Sequence, residues 1–225
     1  MVTIIPRPAL PGPADPIRRP RQKRSLQRFE AILDSAARLL ETLEPEQISI
    51  YTLAKDAGLS PPSIYHFFPD AGQVFVALAE RYTREFIALL DAPLPPGIET
   101  WQQHMAWRFG IGRDHYNAEP AARRLLLGSG LSATIRARDL ENDRVIAERS
   151  VTELCSLFEM AESPELVERF TELLVINDAI WTLSVHRHGT ITDAYEEQAR
   201  RAREAYARTF LPEYLGLRMP AEQAA

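Results

Sequence analysis

The chain has 225 residues and only one cysteine, Cys155, which excludes an intramolecular disulfide. No apolar run approaches the length of a membrane span, and the proline-rich N-terminus has no signal-peptide core. The expectation is a cytoplasmic protein of bacterial type with no membrane partner. Catalytic signatures are missing as well. There is no catalytic serine motif, no phosphate-cradling glycine loop and no paired-carboxylate pattern, so an enzyme is not expected. His186 and His188 stand two apart and leave a helix on different faces, which is poor metal-ligand spacing and suits a helix-end cation better. His104 and His115 have no acidic or cysteine cluster beside them in sequence. No metal and no cofactor is therefore expected. Strand signals and internal repeats are absent too, which points to an all-α fold.

An excess of positive charge is also lacking. The net charge is −5, the wrong sign for a partner of nucleic acid. Its distribution changes that reading. Residues 1–30 carry Arg7, Arg18, Arg19, Arg21, Lys23, Arg24 and Arg28 against Asp15 and Glu30, a net of +5, so the remainder sums to −10. Pro6, Pro8, Pro11, Pro13, Pro16 and Pro20 exclude helix and strand from the first twenty residues, which predicts an extended arm. Arg18, Arg19, Arg21, Lys23 and Arg24 suit contact with phosphates or entry into a minor groove. Residues 1–17 fit a DNA-contacting arm and a dispensable tail equally well.

What the sequence does contain is a sharply punctuated stretch from Ile50 to Pro69. Leu53, Ala54 and Ala57 recur at helical spacing, and Ala54 is small where two helices would cross. Gly58 suits a left-handed helix end, and Leu59 is expected to return to the core. Ser60 is placed as an N-cap, with Pro61 at the first helical position. Ile64, Phe67 and Phe68 give the second helix its buried side, and Pro69 ends it. Pro61, Pro62, Ser63, Tyr65 and His66 are left outward near the start of that helix. In a helix-turn-helix this end meets base edges. The polar side chains offer hydrogen bonds, and the prolines only apolar contact. Ser49, Tyr51, Thr52 and Ser60 complete the candidate DNA contacts. A plain helical hairpin would explain the apolar pattern, but not the joint placement of the small residue, glycine and serine.

Together with the helix over 29–43, the runs Leu53-Ala54-Lys55-Asp56-Ala57-Gly58-Leu59-Ser60 and Ile64-Tyr65-His66-Phe67-Phe68-Pro69 resemble the TetR family of one-component transcriptional repressors. The resemblance covers about fifty residues; the rest is similar in length and helical layout only. It implies a three-helix helix-turn-helix domain followed by a larger helical effector-binding and dimerisation domain, about nine helices in all. The expected divisions are a basic arm over 1–20, a DNA-binding domain over 21–80 and an effector domain over 81–225. Two departures stand out. The family's phosphate-contacting lysine at the start of the fourth helix is missing from Asp70-Ala71-Gly72-Gln73, and Phe67 replaces a polar residue. Each lost contact should shallow the salt dependence of DNA binding by about one unit of slope.

Further helices are expected over 25–43, 70–90, 99–117, 120–127, from 132 or 139 to 161, 163–188 and 193–210. On the first, Leu43 is expected inward; on the second, Leu89. Prolines 93, 95 and 96 with Gly97 break the chain between the second and the third of these. The 163–188 helix is apolar over much of its surface, with Phe170, Leu173, Ile180 and Trp181, and so needs neighbours on several sides. In the family's architecture the last two helices pair with their copy to form a homodimer; a monomeric core would give the same pattern. Trp101, His104, Met105, Arg108 and Tyr116 crowd large and polar groups onto a helix that Gly110 and Gly112 weaken by roughly 1 kcal/mol each. One by one these read as core residues and a solvated arginine. As a group, with Cys155, Phe158, Asn177, Trp181 and Ser184, they read as the wall of a pocket for a small apolar or amphipathic effector. Asn177 needs a partner, either a ligand or its own copy across a dimer axis.

The resemblance thus implies a dimeric repressor that reads a pseudo-palindromic operator on double-stranded DNA and is released by a small organic effector. A DNA-binding regulator without such an effector is the alternative, and an enzyme with an appended helix-turn-helix the third. Activation rather than repression stays open.

Overall fold

A computed structural model describes residues 19–128 and 132–218. Nine α-helices lie among them, with no strand and a single isolated bridge between Phe158 and Leu217. None of the described helices is long and apolar enough to cross a membrane.

The first four helices build an N-terminal packed unit. α1 (Lys23–Leu40) buries Phe29, Ile32, Leu33, Ala36 and Leu40 at three- and four-residue spacing. It begins before the expected residue 25, so Lys23 and Arg24 stand in its first turn and not in an extended arm. A short 3-10 turn, Pro45–Gln47, leads to α2 (Ile50–Ala57), where Ser49 accepts a hydrogen bond from the Thr52 N–H at 3.2 Å. Gly58 closes α2 with φ 65°, a conformation that costs a side-chain-bearing residue strain. α3 (Pro61–Tyr65) has only five residues. It stops before His66, short of the expected end at Pro69. α4 (Ala71–Leu89) is capped by Asp70, whose carboxylate accepts from the Gln73 N–H at 2.9 Å.

Ile64, Phe68, Val74 and Leu78 pack with the α1 stripe, and the Phe29 and Phe68 rings lie 5.0 Å apart. Several expected inward residues depart from the pattern. Leu89 is exposed because α4 leaves the packed core at its C-terminal end. Phe67, Leu59 and Leu43 are partly buried at the edge of the core.

α5 (Trp101–Ala118) starts with a reciprocal cap between Thr100 and Gln103. α6 (Pro120–Leu126) then inserts Ala121, Ala122, Leu125 and Leu126 into the core of that N-terminal unit. α7 (Ala133–Leu157), α8 (Pro164–His188) and α9 (Asp193–Ala207) pack side by side, capped by Ser132, Ser163 and Thr192. α7 ends before the expected residue 161 because Phe158 turns extended and its strand-like segment pairs with the C-terminal tail. The Glu159 N–H donates to the Gly216 carbonyl and the Arg218 N–H to the Leu157 carbonyl, each at 2.8 Å. α9 likewise ends at Ala207, short of 210, in a turn closed by the Leu211 N–H on the Ala207 carbonyl at 2.7 Å. Gly189, with φ 70°, terminates α8 after His186, Arg187 and His188, which place basic groups at the negative end of the helix.

α4 touches both halves. Arg81 of α4 donates to Asp34 of α1 at 2.6 Å, while Glu80 pairs with Arg138 of α7 and Thr83 accepts from Asn142 at 3.3 Å.

Candidate DNA interface and effector cavity

The exposed face of the α2–α3 unit carries the residues expected to read DNA. Tyr51 is 69% exposed and Tyr65 49%, large aromatic areas that a monomer gains nothing by leaving in water. Ser49, Ser60, Pro62 and His66 are also exposed, and Thr52, Pro61 and Ser63 half-buried. Two hydroxyl pairs fix local geometry. Ser49 and Thr52 lie 2.9 Å apart, Ser60 and Ser63 2.8 Å apart. Ser60 occupies the N-cap position of α3 but makes no side-chain cap, because its hydroxyl is paired with Ser63. Both hydroxyls retain acceptor capacity toward a duplex. Lys55 sits four residues after Tyr51 on the same helix face and is exposed. Sequence reading passed over it because it lay inside the resemblance run.

Among the basic residues, Arg18 lies outside the described residues, as do residues 1–17 of the arm. Arg19 pairs with Glu30 of α1 at 2.5 Å, which spends part of its charge. Arg21, Lys23 and Arg24 are exposed around the uncapped N-terminus of α1. Cations beside free helix N–H groups favour an anion there. The start of α4 is the opposite case, since the Asp70 carboxylate already occupies it.

A cavity of about 60 Å³ lies between α4, α5, α7 and α8. His104, Met105, Arg108, Tyr116 and Trp181, all expected in a pocket wall, line it. Around Trp181 the Phe109 and Tyr116 rings stand edge-on at 6.2 and 6.0 Å, and Phe86 from α4 stacks near Tyr116 at 6.5 Å. Gly112 makes room for this wall: a Cβ there would lie 3.3 Å from the Trp181 ring and 3.5 Å from Phe86. A wider cleft of about 410 Å³ on the outer side shares Leu90, Arg108 and Ser150 with the cavity.

The other five expected residues are not brought to the cavity. Trp101 is fully buried and donates its indole N–H to the Pro212 carbonyl at 3.0 Å, tying α5 to the C-terminal tail. Cys155 and Phe158 belong to the core between α5, α7, α8 and α9, and burial pushes the Cys155 thiol up. Asn177 finds its partner within the chain. Its carbonyl oxygen accepts from the buried Arg203 of α9, which also stacks 4.0 Å over Phe109. Ser184 donates to the Thr190 carbonyl at 2.8 Å and accepts from the Thr192 N–H at 3.1 Å, holding the α8–α9 turn.

The polar groups of the cavity divide into two sets. At one end Arg108 makes a two-pronged pair with Glu153 and donates to the Leu90 carbonyl at 2.9 Å; His104 Nε2 lies 2.6 Å from the same carboxylate. Burial would raise Glu153, but the hydrogen bonds from His104 and Arg108 outweigh it and bring its pKa down to about 2. At the other end Asp139, Asp143 and Asp178 bring carboxylate oxygens within 4.8 Å of one another. Arg136 pairs with Asp139 at 2.9 Å. Burial and the neighbouring carboxylates push Asp143 and Asp178 upward, and burial beside these acids lifts the Tyr116 phenol. Sequence reading missed Asp143 and Asp178 because each looks like one more charge on a solvated helix face.

No protein-family model matches the chain. It is 36% identical over 81 residues to the HTH-type transcriptional regulator EthR of Mycobacterium tuberculosis, a match covering 36% of this chain and 37% of that protein. The chain thus matches little more than a third of the length of these curated relatives. Over the whole fold it is similar to a TetR-family transcriptional regulator from Streptomyces coelicolor, at TM-score 0.59 and 24% identity, covering 83% of this chain and 99% of that one. A TetR transcriptional regulator from Rhodococcus sp. RHA1 aligns at TM-score 0.61 and 18% identity, covering 83% and 97%.

Proposed function

From a chain that has the TetR-family fold, we propose a homodimeric, effector-responsive transcriptional regulator acting as a repressor. Residues 21–80 form its DNA-reading unit, and residues 81–225 its effector and dimerisation unit. Each protomer places α3 in a major groove, the two about 34–36 Å apart on a pseudo-palindrome. Arg21, Lys23 and Arg24 grip the backbone where the fourth helix offers no lysine. α8 and α9 pair with their copies, a role that suits the exposed Leu183 on α8.

The observation that carries this reading is the span of α4. Its N-terminal half supplies Val74 and Leu78 to the core under α3, and its C-terminal half supplies Phe86 to the cavity wall. A small organic effector that binds better to one setting of α4 shifts the population of recognition-helix spacings away from DNA. The small volume of the cavity favours one other reading, a regulator without a small-molecule effector. About 60 Å³ holds only a few waters at roughly 10–15 Å³ each, so an effector must push the wall outward.

The test is fluorescence anisotropy on DNA from upstream of the regulator's own gene, with and without compounds that raise the melting temperature. Sequence-selective binding by a dimer, released by such a compound, is the expected result. Selective binding that no stabilising compound releases would move the reading to the effector-independent regulator.

A further inference from the structure

The acidic end of the cavity holds carboxyl groups that no cation of the chain answers at hydrogen-bond distance, Asp139 excepted. Asp143 is 5% exposed and lines the cavity, and among the described residues it has no hydrogen-bond or ion-pair partner. Asp178 lines the same wall and accepts only the neutral amide N–H of Asn177, at 3.2 Å. Asp139 is answered by Arg136, so two carboxyls remain over. An unpartnered buried carboxyl costs stability, and such groups cluster at sites that bind something. A second polar atom of the same wall is also unmet, at the opposite end of the cavity. His104 is 1% exposed, lines the same cavity, and its Nδ1 has no partner.

The remaining wall decides between kinds of cation. Beside the acids it offers Phe86, Phe109, Tyr116, Trp181, Leu173 and Leu174. A divalent metal needs six or more oxygen ligands or retained waters, which aromatic and aliphatic side chains do not supply. Aromatic rings attract an organic cation through their quadrupole and take an apolar body by burial. We propose that the effector is an organic ammonium compound, a primary or secondary amine on an apolar skeleton. Its N–H groups are held by Asp143 and Asp178, and its skeleton displaces Trp181 and Phe109. This inference rests on the effector reading above and gives it a ligand class.

Proton linkage follows. In the empty cavity burial and mutual repulsion favour the protonated carboxyls. The groups facing them are Asp139 and Arg136 on α7, Tyr116 on α5 and Arg203 on α9. An incoming ammonium ion favours the carboxylates, so binding releases a proton and tightens as pH rises through their upward-shifted titration.

The experiment uses the full chain and a panel of primary alkyl- and arylalkylamines, butylamine and benzylamine among them. Each is paired with the alcohol of the same skeleton, and magnesium and manganese chloride are run alone. Tryptophan fluorescence and melting temperature report binding, and calorimetry in buffers of different ionisation enthalpy reports the proton. At least one amine should bind about tenfold or more tightly than its alcohol, the scale of one charge-assisted hydrogen bond. Asp143→Asn should weaken that preference, since only Asp178 then remains to hold the ammonium, while raising the melting temperature, which separates loss of binding from loss of fold. An amine no better than its alcohol, an unchanged preference in Asp143→Asn, or stabilisation by a metal ion alone would overturn the ammonium site. A neutral or anionic compound that binds and releases DNA would sink the ammonium class and leave the effector reading standing. An amine that binds without affecting DNA would do the reverse.

Discussion

Glu153 shows how much depends on single carboxylates. It is the shared acceptor of Arg108 and His104, whose side chains are 11% and 1% exposed. Removing its charge leaves both without an anion, so Glu153→Gln should cost about 3 kcal/mol in urea unfolding at neutral pH. The sign with pH is fixed by the lowered value of about 2. Its stabilisation is complete above the usual glutamate range and disappears as pH falls from there toward 2. The gap between wild type and Glu153→Gln should therefore narrow in melts between pH 5 and pH 3, values chosen to bracket roughly the unperturbed pKa. Asp143 has the opposite sign. Its raised titration makes it a burden that grows as pH rises, and Asp143→Asn should flatten that slope. On the DNA side, Tyr65 is exposed and packs into no core. Tyr65→Ala should leave the melting temperature unchanged and weaken specific DNA binding by about tenfold, the loss of roughly one good base-edge contact. An unchanged affinity in the anisotropy assay would remove Tyr65 from the reading surface.

At the scale of elements, the turn between α2 and α3 is a defined stress point. Gly58 has φ 65° and open space around its Cβ position, so Gly58→Ala meets no steric wall and pays only for backbone conformation. A loss of about 1 kcal/mol is expected in chemical denaturation. These helices were legible in the sequence because their signals are local: cap serines, an αL glycine, and apolar residues at helical spacing. The end of α3 was not, because Phe67 and Phe68 continue its apolar pattern while the chain has already turned. Five of the ten expected pocket residues do line the cavity, most of them from α5, which crowds aromatic and polar groups together. The rest depends on partners far apart in sequence. Arg108 and Glu153 are 45 residues apart and Asn177 and Arg203 are 26, and no local pattern announces such pairings. Trp101 and Asn177 looked like pocket residues for that reason, when each had a distant structural partner, while Ser184 serves the turn that follows its own helix.

For the whole molecule, charge is divided and not balanced. On the proposed function, a chain of net charge −5 would approach DNA through its basic N-terminal segment while its acidic remainder is repelled. Deleting residues 1–24 removes Arg21, Lys23 and Arg24 from the start of α1. The slope of log affinity against log salt should fall by about two to three units per protomer if these residues neutralise phosphates. An unaltered slope would make the segment a tail without a role in binding.

The seating of α6 has a thermodynamic consequence. Ala121, Ala122, Leu125 and Leu126 follow α5 in the chain but fill the core beneath α1 and α4, and Arg124 donates to the Leu43 carbonyl at 2.7 Å. The N-terminal unit of α1 to α4 is therefore completed by residues that the chain makes only after the first wall of the cavity. Neither half can melt without opening the core of the other, so calorimetry should record one cooperative transition and not two. A compound seated in the cavity, well downstream of α3 in the chain, would then raise the melting point of α3 along with its own binding site.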